Sequence, residues 1–294
     1  KYEDAEAKKA AFAEKWTELI ASGKLGYMAL LRNLRNILEA DVDDNTIKDA
    51  AERIGNAHEV LKSKQFPFRY LSAYRELKGN SNGKVSVVID ALEDAIQASA
   101  QNIKGFTKDT HALIACDVSG SMYSSVSARS SVKNYDIGLV LAMLLRNCCE
   151  NVVTGIFGDT WKLVNMPSKS ILGNVDQMYN YANEVGYSTN GYKVIEYLRT
   201  NNIKMDKVMM FTDCQMWNSY GSNQTIKSEW IKYKEIAPEA HLYLFDLAGY
   251  GHAPLEMPSK DVTLIAGWSD RVFDMLDSIE HGADVLDKIK EIEL

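Results

Sequence analysis

The chain has 294 residues, 46% of them hydrophobic and 25% charged, with a formal net charge of −7. Ample apolar material and only 5 Pro exclude a disordered, collagen-like or mucin-like chain, and the length suggests two domains whose cores need no covalent staples. The acidic balance, with a sequence pI of 5.4, argues against a protein that wraps nucleic acid over its whole surface.

Residues 3–22 are rich in Ala, Glu and Lys and read as a helix. That charged start is no secretory signal, and an opening Lys1 in place of Met is expected of a piece of a longer protein. Residues 25–39 place Leu30, Leu31, Leu34, Ile37 and Leu38 on one helical face, with Arg32 and Arg35 off it. Asp44 or Asn45 can cap a third helix running to about Lys62. Pro67 can open a fourth, in which Tyr70, Leu71, Tyr74 and Leu77 recur at spacings of three and four. The Gly79–Gly83 stretch breaks it, and a fifth helix runs from about Lys84 to Ile103. Five helices joined by short turns predict stacked helical hairpins.

The pattern changes near residue 108. His111–Asp117 is a short apolar run ending in a carboxylate, and so a buried strand; 134–150 is a helix and 151–157 a second strand. Residues 170–184 and 191–201 read as helices, and 207–213 is another buried strand ending in a carboxylate. Helix 224–236, strands 241–247 and 261–267, and helix 269–292 complete the chain. This alternation predicts an α/β fold, a mainly parallel, Rossmann-like sheet with helices on both faces, preceded by an all-α segment. Ligands of such sheets bind at the carboxyl ends of strands near a topological switch point. Charge divides along the same line: residues 1–108 carry +1 and 109–294 carry −8. No run of 18 apolar residues exists, so no membrane span is expected. Four Cys follow no disulfide or zinc spacing, so reduced thiols and a cytoplasmic location are expected.

The informative motif is Asp117-Val118-Ser119-Gly120-Ser121, directly after the first strand. A tight turn there can aim Asp117, Ser119 and Ser121 at one point. Asp213 ends a different buried strand, and Thr189 lies in a loop just before a helix. Parallel strands would bring all three segments to one edge. Two carboxylates and three hydroxyls suit a hard divalent cation, Mg²⁺ or alternatively Mn²⁺ or Ca²⁺, and leave a position for water or an anionic oxygen. The plainer alternative is that the serines satisfy a turn and Asp117 caps it. No nucleophile elbow, P-loop or HExxH is present, so no enzyme is expected.

The three-part arrangement resembles the metal-ion-dependent adhesion site of von Willebrand factor A domains, and residues 109–294 are similar to such a domain in length and motif order. A narrower resemblance spans residues 23–294. LGYMALLRNLRNIL (25–38), FPFRYLSAYRELK (66–78), LEDAIQASA (92–100), CDVSGSM (116–122), FTDCQMW (211–217) and GWSDRVFDML (267–276) stand in the order seen in Ro (TROVE-domain) proteins. There, a ring of helical repeats precedes a von Willebrand A domain. This implies a helical-repeat segment over 1–108, shorter than the family's ring, and a von Willebrand A domain over 109–294. It also implies a ribonucleoprotein component that binds noncoding or misfolded RNA and can tether an exoribonuclease. Carried over residue by residue, the metal site is Asp117, Ser119, Ser121, Thr189 and Asp213. The family often has Thr-Asp where this chain has Thr189-Asn190, which removes a supporting carboxylate.

For RNA the residues themselves offer a local cluster. Lys62, Lys64, Arg69, Arg75 and Lys78 stand near Phe66, Phe68, Tyr70 and Tyr74, with Arg32 and Arg35 on the preceding polar face. Basic groups beside aromatics can hold a backbone and stack bases. Read from spacing alone, aromatics three and four apart more readily form a helix core with a solvated basic face. The competing functional class is a protein-interaction module whose metal grips a partner's Asp or Glu, without RNA.

Overall fold

The computed structural model describes residues 4–65, 67–100, 108–126, 130–165, 167, 169–213, 224–248 and 260–267. The chain divides into two compact units, Lys1–Asn102 and Ile103–Leu294.

Six helices are described in the first unit: α1 Ala5–Ala21, α2 Tyr27–Glu39, α3 Asp44–Gly55, α4 Ala57–Ser63, α5 Pro67–Leu77 and α6 Val85–Ser99. The apolar stripe of α2 is buried as its periodicity predicts, against α3 and α5. α6 contributes Val88, Leu92 and Ile96, all fully buried, and packs on α3, α4 and α5. Each such side chain contributes about 1.5–3 kcal/mol through burial. The Tyr27 hydroxyl donates to the Ile54 carbonyl at 2.8 Å and lies 3.3 Å from the Tyr70 hydroxyl, tying α2, α3 and α5 together under the core.

Two expectations are corrected here. The third helix is capped by Asp43, not by Asp44 or Asn45; its carboxylate accepts from the Asn45 and Thr46 amides. That helix also ends at Gly55 instead of running to Lys62. Asn56 turns to an extended ψ of 113° and caps a separate α4 by accepting from the Glu59 amide.

The second unit holds a six-stranded sheet in the order β3-β2-β1-β4-β5-β6. The strands are β1 His111–Asp117, β2 Asn151–Phe157, β3 Trp161–Leu163, β4 Lys207–Thr212, β5 His241–Asp246 and β6 Val262–Ala266. All neighbours pair in parallel except β2 and β3. The chain runs from β1 to β2 and β3 on one side, then returns to β4, β5 and β6 on the other. The switch point is therefore the β1/β4 boundary. The short antiparallel β3 was not anticipated; three half-buried residues give no apolar run to read.

Helices α7 Asn134–Cys148, α8 Ile171–Asn180, α9 Ala182–Val185, α10 Tyr192–Thr200 and α11 Ile226–Lys234 complete the described elements, with a short 3-10 turn at Gly120–Tyr123. The expected single helix over 170–184 is two, α8 and α9, and the expected helix over 269–292 lies outside the described residues. On one face Leu113, Ala115, Val208 and Met210 pack with Val194 and Leu198 of α10 and Trp230 and Tyr233 of α11. On the other, α7 crosses β1, β2 and β4 so closely that a Cβ at Gly138 would stand 2.8 Å from Phe211 Cβ.

Candidate functional site

Asp117 closes β1 and Thr212 closes β4, the two strands on either side of the switch point. The chain then turns: the Ser119 amide donates to Asp117 Oδ1 at 2.8 Å, and the Met122 amide to the Ser119 carbonyl at 3.1 Å. This local closure brings the Ser119 and Ser121 hydroxyls 3.3 Å apart. Across the strand boundary, the Thr212 hydroxyl donates to Asp117 Oδ2 at 2.7 Å. Asp213, also buried, follows directly. Burial pushes the Asp117 carboxyl up to about 7; the Ser119 and Thr212 hydrogen bonds work against the rise, and the Asp213 charge adds to it.

Thr189 is half-buried in the loop before α10. That loop is fastened on two sides. Its Tyr187 carbonyl accepts from the Gly120 amide at 3.4 Å, a long bond to the motif's own turn. Opposite, the Ser188 amide donates to Asp159 Oδ1 at 2.8 Å, and the Asn190 amide to the Gly158 carbonyl at 2.9 Å. The backbones meet so tightly that a Cβ on Gly158 would lie 2.1 Å from the Gly186 carbonyl oxygen. Gly186 itself has φ +77°, a left-handed conformation suited to glycine. The Asn190 side chain donates to the Asp159 carbonyl at 3.0 Å, so it braces the β2–β3 turn.

The structure thus gathers Asp117, Ser119 and Ser121, sets the Asp213 charge against them, and ties the loop carrying Thr189 to their turn. Among the described residues no group of three or more His, Cys, Asp or Glu could hold a metal ion. A cation at this edge would need the hydroxyls as well as the carboxylates, and an oxygen-only donor set of that kind suits a hard divalent ion. Thr212, whose hydroxyl supports Asp117, is the side chain at this edge that the motif alone does not reveal; its signal is the Thr immediately before Asp213. Cys116 lies on the opposite sheet face, where a Cβ on Gly138 would approach its sulfur to 3.5 Å, and burial pushes its thiol above the ordinary range. Cys214 and Trp217 lie outside the described residues.

In the helical unit, three of the seven basic candidates converge. Arg32 and Arg35 of α2 and Arg69 of α5 line one cleft of about 160 Å³, floored by Leu31 and Leu34 and edged by Ser72 and Glu76. Arg35 is partly neutralised, 3.5 Å from both Glu39 and Glu76. The Arg69 guanidinium rests 5.5 Å from the centre of the Phe68 ring. The other four do not join them. Lys62 lines a separate cleft with Asp49, Glu52 and Glu59. Lys64 is an exposed left-handed helix cap, and Arg75 and Lys78 are not among the residues that line the arginine cleft. Tyr70 is fully buried and unable to stack a base, and Phe66 lies outside the described residues.

With this geometry in hand, comparisons with known proteins divide the chain in the same way. Residues 2–104 match the TROVE domain, and residues 111–251 match the Ro60 vWA domain. Telomerase protein component 1 of Rattus norvegicus is 42% identical over 65 residues, 22% of this chain, and that of Mus musculus is 42% identical over 62 residues, 21% of it. The chain spans about 2% of the length of those curated relatives. The crystal structure of the Deinococcus radiodurans Ro (RSR) protein superposes with a TM-score of 0.63 at 18% identity, covering 96% of this chain and 64% of that one. At that identity the likeness is one of fold.

Proposed function

Because the chain belongs to the Ro (TROVE-domain) family, we propose that it is a non-catalytic, RNA-binding component of a Ro-type ribonucleoprotein that takes noncoding or misfolded RNA. The observation that carries this reading is the convergence of Arg32, Arg35 and Arg69 on one cleft of the TROVE unit. Guanidinium groups held on two packed helices can grip a phosphate backbone without reading sequence. The rest of the chain offers such a backbone little, since residues 109–294 carry −8.

We further propose a divalent-cation site at the sheet edge, held by Asp117, Ser119, Ser121, Thr189 and Asp213, with Mg²⁺ the natural occupant. When bound, the ion would offer an electrophilic position to an anionic oxygen, from a phosphate or from a partner's carboxylate. The protein's own part is to hold Asp117 through Ser119 and Thr212 and to present the two serine hydroxyls side by side. A cytoplasmic setting and an exoribonuclease as partner belong to the same reading.

The test is filter binding of a structured RNA with a single-stranded tail, across a salt series. Arg32→Glu combined with Arg69→Glu should weaken binding at least tenfold and reduce the salt slope by about 2. No binding at low salt by the unaltered chain would reject RNA and leave the protein-interaction module standing. For the metal, Mg²⁺ should raise the melting temperature of the wild type and not that of Asp117→Ala. Equal behaviour of the two proteins would reject the site.

A further inference from the structure

We infer that the tyrosines bordering the Asp117–Ser121 turn form a stacking platform for the bases of single-stranded RNA. The inference rests on the RNA-binding reading above and assigns base contact to the α/β unit, to which that reading gives only a cation site.

The observation is a tyrosine stack that surfaces beside the motif. Tyr135 of α7 is buried, and its ring lies 4.1 Å from that of Tyr179 on α8, with planes 9° apart. Tyr123, two residues past Ser121, leans on both at 5.9 and 6.1 Å and is 53% exposed. Tyr187 is 59% exposed on the loop whose carbonyl accepts from Gly120, and its hydroxyl is hydrogen-bonded to Asn183. Tyr123 and Tyr187 are thus two exposed rings on segments joined at the same turn, and clustered exposed apolar surface marks interaction sites.

The charge beside the rings says which occupant suits them. The Lys133 ammonium sits 4.8 Å from the centre of the Tyr123 ring and 3.0 Å from the Ser125 hydroxyl. Lys162 lies 5.2 Å from the exposed Tyr181 ring but is held by Glu184 at 2.7 Å, so Lys133 is the cation of this platform. An exposed ring with a lysine beside it offers a nucleotide both a stacking face and a cation. The base takes the ring, and the ammonium, displaced by a few ångströms, takes the phosphate. Stacking is indifferent to sequence and to the unit's overall negative charge, so one or two nucleotides can bind where a long duplex would be repelled. The helical unit cannot supply this contact through Tyr70, which is fully buried.

The probe is a ten-nucleotide oligouridylate carrying 5-iodouridine, bound to the full chain in Mg²⁺ and cross-linked by light. Cross-links should map to Tyr123 or Tyr187. Affinity should fall on the order of tenfold for Tyr123→Ala and again for Tyr187→Ala, while Tyr123→Phe keeps it. Alanine variants that bind the oligonucleotide like the wild type would overturn the inference and leave the arginine cleft as the RNA site. Equal loss in Tyr123→Phe would overturn it too, since a phenyl ring stacks as well. A protein partner lost with the alanine variants while oligonucleotide binding holds would assign the patch to a protein interface. Failure of the wild type to bind any RNA would remove this inference together with the reading beneath it.

Discussion

Alanine at position 158 should damage the candidate site from outside it. A Cβ there would meet the Gly186 carbonyl oxygen at 2.1 Å, the Gly186 carbonyl carbon at 2.8 Å and the Val185 oxygen at 3.0 Å, all of them backbone atoms. Nothing flexible can give way, so the 185–187 backbone must retreat by about 1 Å to restore ordinary contact distances. That retreat pulls at two hydrogen bonds, Thr160 amide to Val185 carbonyl at 3.0 Å and Asn190 amide to Gly158 carbonyl at 2.9 Å. Losing both costs about 2 kcal/mol, and residual overpacking adds about 1 kcal/mol or more, so Gly158→Ala should destabilise the unit by about 3 kcal/mol. Urea unfolding followed by tryptophan fluorescence measures it, since four of the five Trp lie in this unit. The displaced loop carries Thr189, so the melting shift produced by Mg²⁺ should shrink as well. Gly120→Ala is the contrast: it lies inside the motif, yet a Cβ there meets nothing within 4 Å, so stability should stay within about 0.5 kcal/mol of wild type. The reasoning fails if Gly158→Ala unfolds like the wild type, or if Gly120→Ala is the worse of the two.

Gly138→Ala sets helix propensity against packing: alanine favours α7 by about 1 kcal/mol, but the Cβ would stand 2.8 Å from Phe211 Cβ, so a net loss of about 1 kcal/mol is expected and a raised melting temperature would contradict it. Glu229 is a buried carboxylate 2.9 Å from Arg199 and 2.7 Å from Lys232. Burial opposes its ionisation, but the Lys232 and Arg199 hydrogen bonds hold its carboxyl below the ordinary range. Its contribution is therefore present above the ordinary glutamate value of 4.5 and lost as pH falls further, through the lower folded value. Glu229→Gln should cost about 2 kcal/mol at pH 7, less than a fully buried pair because both cations are partly exposed. The difference should shrink in urea unfolding as pH falls below the ordinary glutamate value, and a gap independent of pH would rule the ion pair out as its source.

How much was legible in the sequence depended on whether the signal was local. Strands β1 and β2 were read to the residue, because each is a short, mostly buried apolar stretch bounded by polar residues or glycine. The Asp117-x-Ser119-x-Ser121 turn was legible for the same reason: its geometry is set within five residues. The break between α3 and α4 was not, because Asn56 preserves the apolar period on both sides while turning the backbone. Thr212 escaped notice because its partner is a carboxylate on another strand. The basic cluster shows the same limit from the other side. Lys62 and Arg69 are neighbours in sequence but face different clefts, whereas Arg69 meets Arg32 and Arg35 only because α5 packs on α2.

The hydroxyl that Thr212 gives to Asp117 spans 95 positions of chain. During synthesis, the first strand must therefore wait, its terminal carboxylate held only by the local Ser119 amide, until that much more polypeptide has left the ribosome. A contact between such distant partners forms only once the intervening segment has found its place. Grip on a ligand at this corner thus reports that the sheet has closed around its middle, and a nascent or truncated chain lacking β4 would have no corner to offer.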